Sequence, residues 1–461
     1  MNFSFTSKRE RRSSVTSSLL MAAVMCVTAT APALASNHNS ATTASAPQTD
    51  DTLLVLLAPH ADRTKIATDL SSGAKVKCLK DIHVDTQDYS VLHVQAATGQ
   101  AKTAMAQIKS MMKSNPNIKS VGHNYLVHAF RNKGFIGGGS VVSPPNDPYF
   151  SQQWPLAAMR WTAAQAQYNH RQVMPANITI LSSGATPVYT NNELGPAITQ
   201  FNCLVNPPVP EDVQGFDPEG DIDASITGCL TDNSTLLAGS GSFGRFPTRI
   251  SMLRITNGGG AYLSDILNAL VFRINNQHKL GGPGPVNLSY GGGNPNLAQV
   301  SPNLPLWTDP NMQAAATSLL AEGSLLVLSA GDTGTAGPPA GSGTWSSAVA
   351  PAGNIVVVQG TDINNNFDTV NLTRLQNDPV AAPGDPQPAL INGQFSDQFY
   401  GTSFSAPLWC SAISMLMSMN PHLTALQAHQ ILVSTGTPAG GAGYPAVVPA
   451  FDKSIKQVVG F

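Results

Sequence analysis

The run Gly401-Thr402-Ser403-Phe404-Ser405-Ala406-Pro407 places a serine at the head of an apolar stretch that continues to Met419. Such a serine suits nucleophilic chemistry, because a helix N-terminus presents backbone N–H groups and positive dipole to an oxyanion forming beside it. Gly401 permits close approach, and Pro407 is read as part of the first helical turn. A serine that only caps a helix has the same local pattern. To attack a carbonyl its hydroxyl also needs a base, usually a histidine held by a carboxylate.

The elements that must position this serine can be read from periodicity. Residues 52–130 alternate as an apolar strand Leu53–Leu57, a helix near Asp62–Leu70, strands near Val76 and at Val91–Val94, a helix Ala101–Met112 and a strand near Ile118–Val127. That βαββαβ order predicts a small two-layer α+β domain of ferredoxin-like type. A Gly/Ser/Pro-rich linker over 131–145 separates it from residues 146–461. There, strands at Ile178–Leu181, Ile250–Ile255, Val286–Tyr290, Leu325–Ser329 and Ile355–Val358 alternate with helices at Leu263–Ile274, Met312–Ala321, Phe404–Met419 and Ala425–Leu432. The alternation predicts an α/β fold, a mostly parallel sheet with helices on both faces.

Composition narrows the setting. The 461 residues carry a formal net charge of −2 with no basic run beyond the N-terminus, which argues against a nucleic-acid partner. Lys8, Arg9, Arg11 and Arg12, then an apolar run Leu19–Val27, then Ala33-Leu34-Ala35 read as a secretory signal over 1–35, followed by a flexible leader over 36–51. The expectation is a secreted or periplasmic protein with no membrane anchor. Of the five cysteines Cys26 leaves with the signal; Cys203 and Cys229 make the best disulfide pair, and Cys410 reads as a buried thiol. No His/Cys spacing suggests a metal site.

Six segments in order resemble subtilisin-like serine peptidases, the subtilases, with an N-terminal inhibitory propeptide. They are Asn146 to Leu156 (mature start), Asn287-Leu288-Ser289-Tyr290-Gly291 (substrate-binding strand), Ser329-Ala330-Gly331-Asp332 (oxyanion segment), Ala382-Pro383-Gly384, the Ser403 run, and Asn420 to Thr424. The resemblance implies a groove at Ser289, Tyr290, Gly291, Gly259 and Gly260 that takes a peptide, a protein ligand or the chain's own propeptide. It also implies calcium, for which no carboxylate cluster in the sequence can be assigned.

The resemblance breaks at the base. The family's aspartate position aligns with Ser182 and its histidine position with Asn233, on a helix read as Asn233–Gly239. Neither side chain accepts a proton usefully, so the first expectation is a pseudoprotease that binds without cutting. The alternative is an active serine endopeptidase with a carboxylate base, Asp232 or Glu193, with Asp221 and Asp223 nearby in sequence. Asp332 stands where most subtilases place an asparagine. The acid-acting sedolisin branch, similar in fold, uses an aspartate there with a glutamate base, but its glutamate belongs on the helix read as 233–239, which holds no carboxylate. The sedolisin reading is therefore set aside at this level.

Overall fold

In a strand successive side chains point to opposite faces, so one strand can serve two cores. Thr52–Leu57 (β1) does so in the computed structural model: Leu53, Val55 and Leu57 enter one cluster, and Leu54 enters another. The structure describes residues 51–459 apart from 85–88, 125, 130–131, 134–144, 169–175, 186–192, 195–197, 212–217, 232, 243–247, 259, 292–305, 333–352, 368–374, 376–377, 392 and 440–445. The proposed signal, most of the leader and most of the linker lie outside the described residues.

The βαββαβ order is present. Around β1, Arg63–Gly73 (α1), Lys77–Val84 (β2), Tyr89–Gln95 (β3), Ala101–Ser114 (α2) and Ile118–His123 (β4) form an antiparallel sheet in the order β2-β3-β1-β4. Asp62 caps α1 by accepting from Lys65 N–H at 2.9 Å. Ile66 and Leu70 of α1 and Ala104 and Ile108 of α2 close the first face of the sheet. Its second face presents Leu54, Ile82, Val84, Tyr89 and Val91 to a helix of the larger domain. The last expected strand is interrupted: β4 ends at His123, Asn124 turns away, and Leu126–Ala129 (β5) and Asn132–Lys133 (β6) continue elsewhere.

The larger part holds an eight-stranded sheet, built from Asn177–Ser182 (β7), Ile198–Asn202 (β8), Val209–Pro210 (β9), Arg249–Arg254 (β10), Pro285–Leu288 (β12), Leu325–Ser329 (β14), Ile355–Asp362 (β15) and Ala381–Asp385 (β16). Its order is β16-β15-β14-β12-β7-β10-β8-β9, parallel except for β9. Two-residue strands Ala261–Tyr262 (β11) and Tyr290–Gly291 (β13) flank it, and Gln387–Ile391 (β17) and Gln394–Tyr400 (β18) form a hairpin.

Trp154–Ala158 (α3), Trp161–Tyr168 (α4), Glu219–Gly228 (α5), Leu263–Asn275 (α6), Pro310–Ala321 (α7), Thr402–Met419 (α8), Ala425–Thr435 (α9) and Phe451–Val459 (α10) are the helices. Ile178, Ile180, Met252 and Val327 face α5, α8, α9 and α10, while Leu181, Leu253, Leu326 and Leu328 face α6 and α7. The expected helices, apart from that at Asn233–Gly239, are found within a few residues at each end. Helix α5 was not expected, nor were β8, β16, the β17–β18 hairpin or α10.

The two faces decide the cysteines. Cys203 follows β8 in the cluster with α6, whereas Cys229 ends α5 in the cluster on the opposite face, and both are free, buried thiols. The expected disulfide is therefore corrected: spacing in a loop-like stretch carried no information about the sheet between them. Cys410 is buried in α8 as expected. Among the described residues no helix is long and apolar enough to cross a membrane. Non-reducing peptide mapping of the denatured protein is expected to recover Cys203 and Cys229 each as an alkylated free thiol, and a Cys203–Cys229 cross-linked peptide would contradict the fold.

Candidate active site

A parallel sheet gathers its functional groups at the carboxyl ends of its strands. Ser182 ends β7, Ser289 follows β12, and Asp332 lies beyond β14, all on the edge where α8 begins.

Every residue of α8 is buried, and Ser403 is its second. Pro407 sits six residues into the helix, in the second turn rather than the first. Having no N–H, it cannot donate to the carbonyl four residues back, which belongs to Ser403. The Ser289 hydroxyl donates to that carbonyl instead, at 2.8 Å, and the Ser403 hydroxyl donates to the Ser289 carbonyl at 3.1 Å. The vacancy left by proline thus pins the head of α8 to the turn between β12 and β13. Thr402 makes the second pin: its N–H and hydroxyl donate to Asp332 Oδ1 at 2.8 and 3.0 Å, and Gly331 N–H donates to the same hydroxyl oxygen at 2.7 Å.

The helix beside α8 is α5. A Cβ on Gly220 would lie 1.9 Å from the Gly184 carbonyl oxygen, so α5 is pressed backbone to backbone against the segment that follows β7. All ten of its residues are buried, including Glu219 at its first position and Asp223 one turn later. Residues four apart share a helix face. Burial pushes the Asp223 carboxyl well above its ordinary range. Asn287 Nδ2 donates to Asp223 Oδ2 at 3.1 Å and to Ser289 Oγ at 3.0 Å. Polar contacts therefore run from Asp223 through Asn287 and Ser289 to Ser403.

This corrects the expected helix at Asn233–Gly239. The described residues of that stretch form turns; Asn233 accepts from Thr235 N–H at 3.0 Å and donates its own N–H to Asp147 Oδ1 at 3.3 Å. Ser182 is buried at the end of β7, and its Oγ has no hydrogen-bond partner among the described residues. Asp232 lies outside the described residues. Glu193 is buried beside Asn233, Thr235, Asp147 and Cys229, and burial pushes its carboxyl up to about 7. Helix α5 was hard to read because it is buried all round and so lacks an amphipathic period, and because Gly, Asp, Ser and Thr are weak helix formers. The signal that was there is Glu219 and Asp223 four apart around Gly220, in a stretch free of cations.

No Lys, Arg or His stands on β7, β12, β14, β16, β18, α5 or α8. For calcium, the described residues hold no group of three or more His, Cys, Asp or Glu placed to bind a metal ion. Glu193, Asp147 and Asn233 lie together and carry hard oxygen donors, the type that calcium takes.

The strands expected to border a groove are paired with the chain itself. β5 lies antiparallel between β11 and β13, with Val127 opposite Ala261, Leu126 opposite Tyr262, His128 opposite Gly291 and Ala129 opposite Tyr290. β6 then pairs with β18, Asn132 opposite Tyr400. Tyr290 and Gly291 thus pair with β5; Gly260 precedes β11 and accepts from the Thr256 hydroxyl, while Gly259 is outside the described residues. In sequence only Phe130 and Arg131 join β5 to β6.

Several buried acids share one direction of shift. Burial pushes Glu193 and Asp378 up to about 7 and Asp265 up to about 6, while it lowers His429 to about 4. Between about pH 7 and 5 the folded carboxyls bind protons that the unfolded ones release, so each stabilises the fold as pH falls, by at most about 1.4 kcal/mol per unit. His429 opposes this below its ordinary value. Three carboxyls outweigh one imidazole: in calcium-free buffer the Tm of Ser403→Ala is expected to rise on acidification across this window. A falling Tm would contradict the burial of these groups.

The subtilase family model matches residues 224–450, beginning one residue after Asp223. Fervidolysin from Fervidobacterium pennivorans, a keratinolytic enzyme related to subtilisin, is similar with a TM-score of 0.66 at 14% identity, over 89% of this chain and 61% of that one. The chain thus spans less than two thirds of fervidolysin's length. Proteases from Pseudoalteromonas arctica are similar with a TM-score of 0.52 at 17% identity, over 68% of this chain and 100% of that one. At these identities the likeness is one of fold. No curated protein matches the chain.

Proposed function

We propose, from the match of residues 224–450 to the subtilase family model, that the chain is a secreted serine endopeptidase acting in acid, with Ser403 as nucleophile and Glu219 as base. The observation that carries this reading is α5, packed along α8 with Glu219 and Asp223 on one face. The objection to a sedolisin-like arrangement was the absence of a carboxylate on the helix beside the serine; that helix begins with one.

In the proposed mechanism Glu219 takes the Ser403 proton as Oγ attacks the peptide carbonyl, and protonated Asp332 donates to the oxyanion. Glu219 then gives the proton to the leaving amine, leaving an acyl-serine that water hydrolyses by the same exchange. Asp223, holding its proton through burial, orients Glu219. An ionised Asp332 would repel the oxyanion, so the mechanism requires acid. Residues 52–130 act as propeptide and inhibitor, with β5 lying as the substrate strand before the cut and β6 as the strand after it. Calcium has its best seat at Glu193, Asp147 and Asn233.

One observation favours the pseudoprotease reading. The Ser403 hydroxyl is bonded to the Ser289 carbonyl rather than to a base, and a mutual serine clamp with a filled groove suits a protein that only binds. Hydrolysis of a fluorogenic peptide mixture by the full chain separates the two. Activity is expected to rise from about pH 7 to 4, and Ser403→Ala and Glu219→Gln each to remove it by ~10³-fold or more. The absence of Ser403-dependent hydrolysis at every pH would leave the binding role.

A further inference from the structure

Asp332 has two carboxyl oxygens, and the structure treats one of them specially. Both donors of buried Thr402, its N–H and its hydroxyl, end on Oδ1. The hydroxyl proton is committed to that bond, since Gly331 N–H already donates to the hydroxyl oxygen. An oxygen accepting two hydrogen bonds is the poorer site for a proton, which is left to Oδ2. An aspartic acid so arranged accepts at one atom and donates at the other, as an asparagine amide does.

We propose that Thr402 is a positioning residue that fixes the proton of Asp332 on Oδ2 and thereby sets the upper pH limit of catalysis. The proposal rests on the acid-peptidase reading. Two donors on Oδ1 stabilise the ionised form, so Thr402 also lets Asp332 lose its proton at lower pH than it would alone. The carboxyls on elements packed against the head of α8 are Glu219, Asp221 and Asp223 of α5 and Asp385 at the end of β16. Those elements, with β12, β14 and α8 itself, carry no Lys, Arg or His to counter them.

The test is the pH profile of kcat and KM for Thr402→Val, Thr402→Ala and Thr402→Ser on one fluorogenic peptide. Valine and alanine are expected to lower kcat ~10-fold to 100-fold with KM within ~2-fold, and to move the upper limb of the profile to higher pH. Serine is expected to restore both, and in an Asp332→Asn background the limb is expected not to move. A uniform loss of activity with an unshifted limb, or failure of serine to rescue, overturns the proposal. Should the wild type prove inactive, the acid-peptidase reading fails, and infrared titration of the Asp332 carboxyl in Ser403→Ala still decides the role of Thr402. There its midpoint is expected to rise on Thr402→Val, and an unchanged midpoint overturns the proposal.

Discussion

Burying Glu219, Asp221 and Asp223 on a helix whose neighbours β7, β12, β16 and α8 carry no Lys, Arg or His is the constraint from which the site follows. Moving a carboxylate out of water is costly, and a group with no cation opposite it relieves that cost by keeping its proton. Asp223 is held in this way inside α5. The subtilase solution, an imidazole that becomes positive during each turnover, is absent from these elements. What remains is a serine among acids, which can share protons only where some of those acids are protonated. In the proposed mechanism acid operation is a consequence of the site's composition rather than an adaptation added to it.

The backbone holds this arrangement with few parts. Pro407 removes one helical hydrogen bond, at a typical cost of about 3 kcal/mol in a helix interior, and the freed carbonyl of Ser403 receives the Ser289 hydroxyl. That bond ties the buried helix α8 to the sheet at the groove wall, where β13 pairs with β5. The N-terminal unit is anchored to the same region: Asn124 donates to Ser264 Oγ at 3.0 Å and accepts from Ser264 N–H at 2.8 Å at the start of α6. Asn275 adds a bond to the His83 carbonyl at 2.9 Å at the far end of that helix. β4 must therefore stop at Asn124 so that the chain can turn into the groove, and this is why one expected strand became two.

Most of the fold was legible in the sequence because its strands and amphipathic helices have clear periods. At β14, for example, the apolar block Leu325–Ser329 is bounded by Gly323 and Gly331, and the strand occupies that block. Ser403, Asp332, Ser289 and Tyr290 were legible because each lies in a motif tied to a strand end or helix start. The base was not. Helix α5 is buried on every side and built from weak helix formers, so neither period nor propensity marks it. The cysteine pairing failed for a related reason, since sequence separation does not reveal which face of a sheet a residue occupies.

The most direct test of acid catalysis by Ser403 and Glu219 is the intact mass and N-terminal sequence of secreted wild-type protein beside Ser403→Ala and Glu219→Gln, each held at about pH 4 and pH 7. Wild type alone is expected to be cut, in acid, giving a new N-terminus at Phe130, Arg131 or Asn132, the span between the two paired strands. A wild type that stays whole at both pH values, or is cut equally in all three proteins, would contradict that mechanism.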